Sequence, residues 1–139
     1  MMARWRNQDG SIAVETAVLA PVLLVLMLLV VYAGRAAQAD ADVRSAAARA
    51  ARAASLTGDA ESATAAATGT ATANLATAGI VCTQADVRVG VADFQAGGSV
   101  TVQVSCQVSN ADLLLLAVPG TRWSSATSVQ PVDTFRGGG

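Results

Sequence analysis

The chain has 139 residues, of which 53% are hydrophobic but only 4% aromatic, and it carries a formal net charge of -1 with no histidine. That length has room for one membrane helix and one further domain of about 100 residues. The near-zero charge argues against a polyanion, so no nucleic acid partner is expected, and all the basic residues are arginines.

Residues Met1 to Asp9 form a short polar leader whose basic residues are Arg4 and Arg6. Then comes one long apolar stretch from Gly10 to Gly34, GSIAVETAVLAPVLLVLMLLVVYAG, with a single carboxylate, Glu15. From Ile12 to Gly34 a helix would run about 35 Å, enough to cross a hydrocarbon core of roughly 30 Å. In lipid the backbone must satisfy its own hydrogen bonds, so an unbroken helix is expected, and Pro21 near its entry can bend it without ending it. The uninterrupted part, Ala17 to Ala33, is at the short end of the spanning range, which places Glu15 off the bilayer centre. The leader arginines hold the N-terminus in the cytoplasm and send the remainder outward, a bias that Arg35 weakens.

A carboxylate at the middle of a membrane helix costs on the order of 3 kcal/mol, so Glu15 needs a reason. Two readings stand. Glu15 is close enough to the interface to snorkel. Alternatively, a peptidase cuts after Gly10 and creates an ammonium group at Ser11, which the Glu15 carboxylate pairs with in its own chain or in a neighbouring subunit. Such pairing offsets burial and favours one register of assembly.

A leader with Arg4 and Arg6, then Gly10, then SIAVE and an apolar helix is similar to the prepilin signal of the type IV pilus superfamily. Within it, Gly10 to Ala17 followed by Leu19-Ala20-Pro21 most resembles the TadE-like pseudopilins of tight-adherence (Tad) systems. The resemblance covers about 15 residues and elsewhere is only one of layout. It implies a prepilin peptidase as processing partner, with Gly10 and Ser11 flanking the cut and Glu15 and Pro21 serving assembly. It also implies other pilin or pseudopilin subunits and a pilus assembly platform as partners, and a role in assembling or priming a thin adhesive pilus. Major pilins of such systems are usually much shorter, so an accessory subunit is implied. A conventional secretory signal competes with this reading, since Ala37-Gln38-Ala39 would serve as its cleavage site; the length of the apolar region and the presence of Glu15 and Thr16 argue against it.

From Arg35 to about Leu56 the sequence stays helical, rich in Ala and free of Gly and Pro. Ala36, Ala39, Val43, Ala47, Ala50 and Ala54 share one face, with Asp42, Ser45, Arg49 and Arg52 opposite; Asp40 and Arg44 are placed for an i,i+4 pair. The small-residue stripe would let another element approach closely, and a solvated spacer is the alternative. Thr57-Gly58-Asp59 interrupts the pattern, and Asp59 and Glu61 put acids at the start of a second helix that stops at Gly79. Gly69 and the threonines weaken that helix, with a partly ordered linker as the alternative.

From Ile80 the period becomes two. Val87, Val89 and Val91 alternate with polar residues or Gly, as do Val100, Val102, Val104, Cys106 and Val108, with Ala96-Gly97-Gly98-Ser99 as the turn of an antiparallel hairpin. Trp123 to Val132 reads as a third strand, and Pro131 suits an edge. The expected fold class is α+β and pilin-like: a long N-terminal helix, transmembrane then extracytoplasmic, and a second helix packed on a small antiparallel β-meander. The expected division is a leader over 1–10, a transmembrane helix over 11–34, Ala-rich extracytoplasmic helices over 35–79 and a disulfide-bridged β domain over 80–139.

Outside the membrane, oxidation is permitted, and a Cys82–Cys106 bridge closing about 25 residues would contribute roughly 3.5 kcal/mol in the loop-entropy model. No metal site is expected, because two lone cysteines without histidine do not make a zinc cage. No cofactor is expected either. Leu113 to Leu116, ahead of Pro119-Gly120, is too short to span and reads as a buried connection, or else as a subunit or membrane-surface contact. Asp86, Asp93 and Asp112 read as solvated positions. With no phosphate-binding loop, nucleophile elbow or calcium loop, the chain is read as non-enzymatic. The alternative function is a single-pass anchored or secreted binding module that uses the β domain.

Overall fold

The computed structural model describes residues 6–109 and 120–137, and the chain divides into two compact units, Met1–Ala36 and Ala37–Gly139. The run from Leu113 to Leu116, together with Asp112, lies outside the described residues.

Helix α1 spans Arg6–Ser55 and runs through Pro21. A proline there removes one amide donor, so the Ala17 carbonyl loses its i→i−4 partner; a single lost bond does not end a helix whose flanking turns are intact.

The second unit holds the C-terminal part of α1, helix α2 (Ala60–Thr77) and strands β1 (Cys82–Gly90), β2 (Ser99–Ser109) and β3 (Thr121–Pro131). Along α1 the buried apolar positions are Ala39, Val43, Ala46, Ala47, Ala50, Ala51 and Ala54. They recur every three or four residues, with pairs where two adjacent positions both face the core. The hydroxyls of Ser55 and Thr57 close the helix by donating to the Arg52 and Ala54 carbonyls, each at 2.8 Å. Asp59 then caps α2, its carboxylate accepting from the Ser62 amide at 2.8 Å.

Helix α2 buries Ala63, Ala67, Ala71 and Leu75, a stripe at i,i+4 spacing. Its threonines do not break it. Thr64, Thr68, Thr72 and Thr77 each donate a hydroxyl to the carbonyl four residues earlier, so their polar groups are satisfied along the exposed side. The helix ends where Gly79 adopts φ 75°, a left-handed conformation open to glycine at little cost. The Ile80 amide bonds to the Leu75 carbonyl and the Gly79 amide to that of Ala76. That pair of bonds is the Schellman stop, and Leu75 and Ile80 both join the hydrophobic cluster beside it.

The three strands form an antiparallel sheet in the order β1-β2-β3. Val100, Val102, Val104 and Cys106 of β2 are fully buried, and the alternate residues face away from the core. Ala126 stands opposite Val104, and Ser124 opposite Cys106. The predicted hairpin turn is wider than Ala96–Ser99. Strand β1 stops at Gly90, and the chain from Val91 to Gly98 is a loop closed by the Ser99 amide on the Asp93 carbonyl. That loop is tied to the far end of β3 by reciprocal bonds, Gly97 amide to Val132 carbonyl and Val132 amide to Gly98 carbonyl. Val132 is therefore buried just beyond β3 instead of belonging to it.

Cys82 has the wrong parity to share a face with Val87 and Val89 in a regular strand. A register shift between Cys82 and Gln84 corrects this: Cys82 stands opposite Val108 while Gln84 stands opposite Gln107, so Thr83 is the extra residue. The Thr83 hydroxyl donates to the Gln107 carbonyl at 3.0 Å. The bulge brings Cys82 onto the inner face, where it forms a disulfide with Cys106 at a Cα–Cα distance of 5.4 Å.

The core that joins α1, α2 and β2 is built from alanines, valines, one leucine and the half-cystine Cys106. Phe94 is only half-buried at its margin, and Trp123 and Phe135 are exposed. Small side chains let the helices lie close to the sheet, but each contributes little apolar area, so covalent and polar ties carry more weight than in an aromatic core.

Asp40 supplies a polar tie. The expected Asp40–Arg44 pair is replaced by one to β3: the Ser124 hydroxyl donates to the Asp40 carboxylate, and the Arg122 guanidinium lies 3.4 Å away. The i,i+4 geometry loses because Ser124, buried on the inner face, has its hydroxyl satisfied by this carboxylate. Arg44 acts on Asp40 only as a nearby charge.

Candidate functional site

The residues singled out by the N-terminal motif all fall on α1. Gly10 is exposed and helical, and a Cβ placed on it would meet nothing within 4 Å. Ser11 and Glu15, one turn apart, lie together with Val14, Val18 and Leu19 on one face. Pro21, six positions beyond Glu15, projects from a different side of the helix. Thr16 hides its hydroxyl by donating to the Ile12 carbonyl at 2.8 Å, the usual way for a small polar side chain to sit in an apolar helix.

From Ile12 to Val31 the large apolar side chains are exposed except for the half-buried Leu28, Val14 by 66% and Val30 by 69%. No side chain in the most apolar window of the helix is buried. Burying a Val or Leu side chain is worth about 1.5–3 kcal/mol, so a surface of this size is a strong drive towards lipid or other apolar helices. The helix is long and apolar enough to cross a membrane, and the only acid in its stretch from Gly10 to Gly34 is Glu15. Among the described residues it is the one helix of that length and apolarity.

The other predicted pair, Cys82 and Cys106, lies in the second unit, where it staples β1 to β2. The sequence reading did not find the Asp40, Ser124 and Arg122 cluster. Hydrogen bonding from Ser124 holds the Asp40 carboxyl below the usual carboxylate value against the opposing effect of burial, and the Arg122 guanidinium adds to the lowering. The Ser62 amide and hydroxyl likewise lower the Asp59 carboxyl at the start of α2. A buried serine inside a polar strand two residues past an arginine was the available signal, but nothing in the sequence named the partner.

No curated protein and no solved structure matches the chain. Residues 10–52 match the family model described as TadE-like protein, the family that the motif from Gly10 to Pro21 resembles.

Proposed function

We propose that the protein is a membrane-anchored pseudopilin, a minor subunit of a Tad-type pilus that is cut after Gly10 and helps to assemble or prime the filament. Residues 11–34 span the cytoplasmic membrane with the leader inside, and residues 35–139 are extracytoplasmic. The protein acts as a structural subunit, without catalysis. Its partners are a prepilin peptidase, other pilin or pseudopilin subunits and the assembly platform.

The observation that carries this reading is the coincidence of the TadE-like match with a helix whose most apolar stretch has no buried side chain. In this reading Gly10 presents an unencumbered backbone to the peptidase, as expected where any side chain would obstruct a protease cleft. After cleavage the Ser11 ammonium and the Glu15 carboxylate lie one turn apart or meet between subunits, and their pairing offsets the burial of both.

Glu15→Ala separates processing from assembly. The variant is cut normally, and pilus yield falls about tenfold or more, since an uncompensated buried ammonium costs several kcal/mol. Wild-type pilus yield from Glu15→Ala would remove the role given to the carboxylate.

A further inference from the structure

Strand β1 is an edge of the sheet, and the features that usually blunt an edge are sparse on it. It contains no proline, no charge points into the core, and the bulge is confined to its start, between Cys82 and Gln84. Among the described residues, no backbone hydrogen bond from outside the sheet reaches it from Thr83 to Val89. Its two charges, Asp86 and Arg88, lie on the outer face, with side chains 52% and 77% exposed, and pair with each other at 2.9 Å.

We propose that β1 is a homotypic pairing edge, whose occupant is the β1 strand of a second copy of this chain. The argument is the symmetry of its charges. In an antiparallel pair of identical strands centred on Val87, each residue i stands opposite residue 174 − i. Asp86 then faces Arg88 of the second copy, and Arg88 faces its Asp86. Each outward charge finds the opposite sign directly across, on the same face, at the spacing where such pairs stabilise a sheet. The two-fold axis closes the assembly at a dimer and merges the sheets into one of six strands, β3-β2-β1-β1-β2-β3.

The same complementarity disfavours the other edge as the occupant. The outward positions of β3 are Trp123, Ser125, Thr127 and Val129, which offer no charge to Asp86 or Arg88, and Pro131 removes an amide at its end. Val87 and Val89, half-buried at this edge, would gain cover from the second copy. This inference stands apart from the proposed pilus role and from processing at Gly10.

The test is charge reversal in the full chain in detergent micelles, read as the monomer–dimer equilibrium by sedimentation. Wild type is expected to dimerise. Asp86→Arg sets four positive groups against one another and Arg88→Asp four negative ones, so each variant alone raises the dissociation constant by about tenfold or more. An equimolar mixture of the two variants recovers the dimer, because each copy then faces its complement, and the double variant D86R/R88D recovers it alone. A monomeric wild type overturns the proposal. So does a dimer indifferent to both reversals, which would place the contact elsewhere, or a loss that neither mixing nor the double variant restores, which would mean the substitutions had only damaged the fold.

Discussion

At Gly98 a single methyl group has no room, since a Cβ there would overlap the backbone carbonyl of Asp93, which is already held by the Ser99 amide. Backbone cannot move aside as a side-chain tip can. Gly98→Ala should therefore destabilise the second unit by about 1–3 kcal/mol. Gly69 is the counter-case: it lies exposed within α2, and a Cβ there meets nothing within 4 Å. Gly69→Ala should gain about 0.5–1 kcal/mol from helix propensity. Thermal unfolding of both variants in one detergent checks the pair, and equal effects of the same sign would contradict it. Asp40 belongs to this scale too. Its carboxyl is held below the usual value, so its contribution is complete above the unfolded-state value and is lost as pH falls through the lower folded one. The side chain is 46% exposed, so that contribution is small, about 0.2–1 kcal/mol. Asp40→Asn should lower stability at neutral pH and remove that part of the acid sensitivity which sets in below about pH 4. An unchanged slope of stability against pH in this variant would contradict the assignment.

Among the elements, the strand pair β1–β2 depends on its staple. The bridge between Cys82 and Cys106 has a sequence separation of 24, for which the loop-entropy model gives about 3.5 kcal/mol. With a core of alanines and valines, replacing both cysteines by serine should cost about that much, measured by chemical denaturation of the full chain in detergent. A loss below about 1 kcal/mol would mean that the small-residue core holds the sheet unaided. These elements also mark what the sequence did and did not disclose. Alternation from Val100 to Val108 set β2 in advance, because one buried face demands period two. The stripe from Ala39 to Ala54 was visible through helical spacing, yet Ala46 and Ala51 were missed, since in an Ala-rich helix core and flank look alike. The bulge at Thr83 was implicit in the parity of Cys82. Length alone could not separate the loop from Val91 to Gly98 from a tight turn, because its closing bonds reach Val132. The bond from Asp40 to Ser124 joins residues far apart in the chain, which no local pattern encodes. The apolar helix was the most legible part of the candidate site, because the length and hydropathy of its run show in the sequence without any long-range contact.

For the molecule as a whole, two kinds of surface define its behaviour. The first unit exposes an apolar helix that water does not tolerate, and the second carries its own small core. In the proposed pseudopilin role this division would have a purpose: the helix would partition into the membrane and then among other subunits, with the folded unit intact throughout. Cleavage after Gly10 is the step on which the proposed function turns, because it would remove the charged leader and create the amine proposed to pair with Glu15. The most direct test is the N-terminus of the membrane-associated protein from its native host, by intact mass and N-terminal peptide mapping. A chain beginning at Ser11 is the predicted result; one beginning at Asp40, or still carrying Met1, would contradict it.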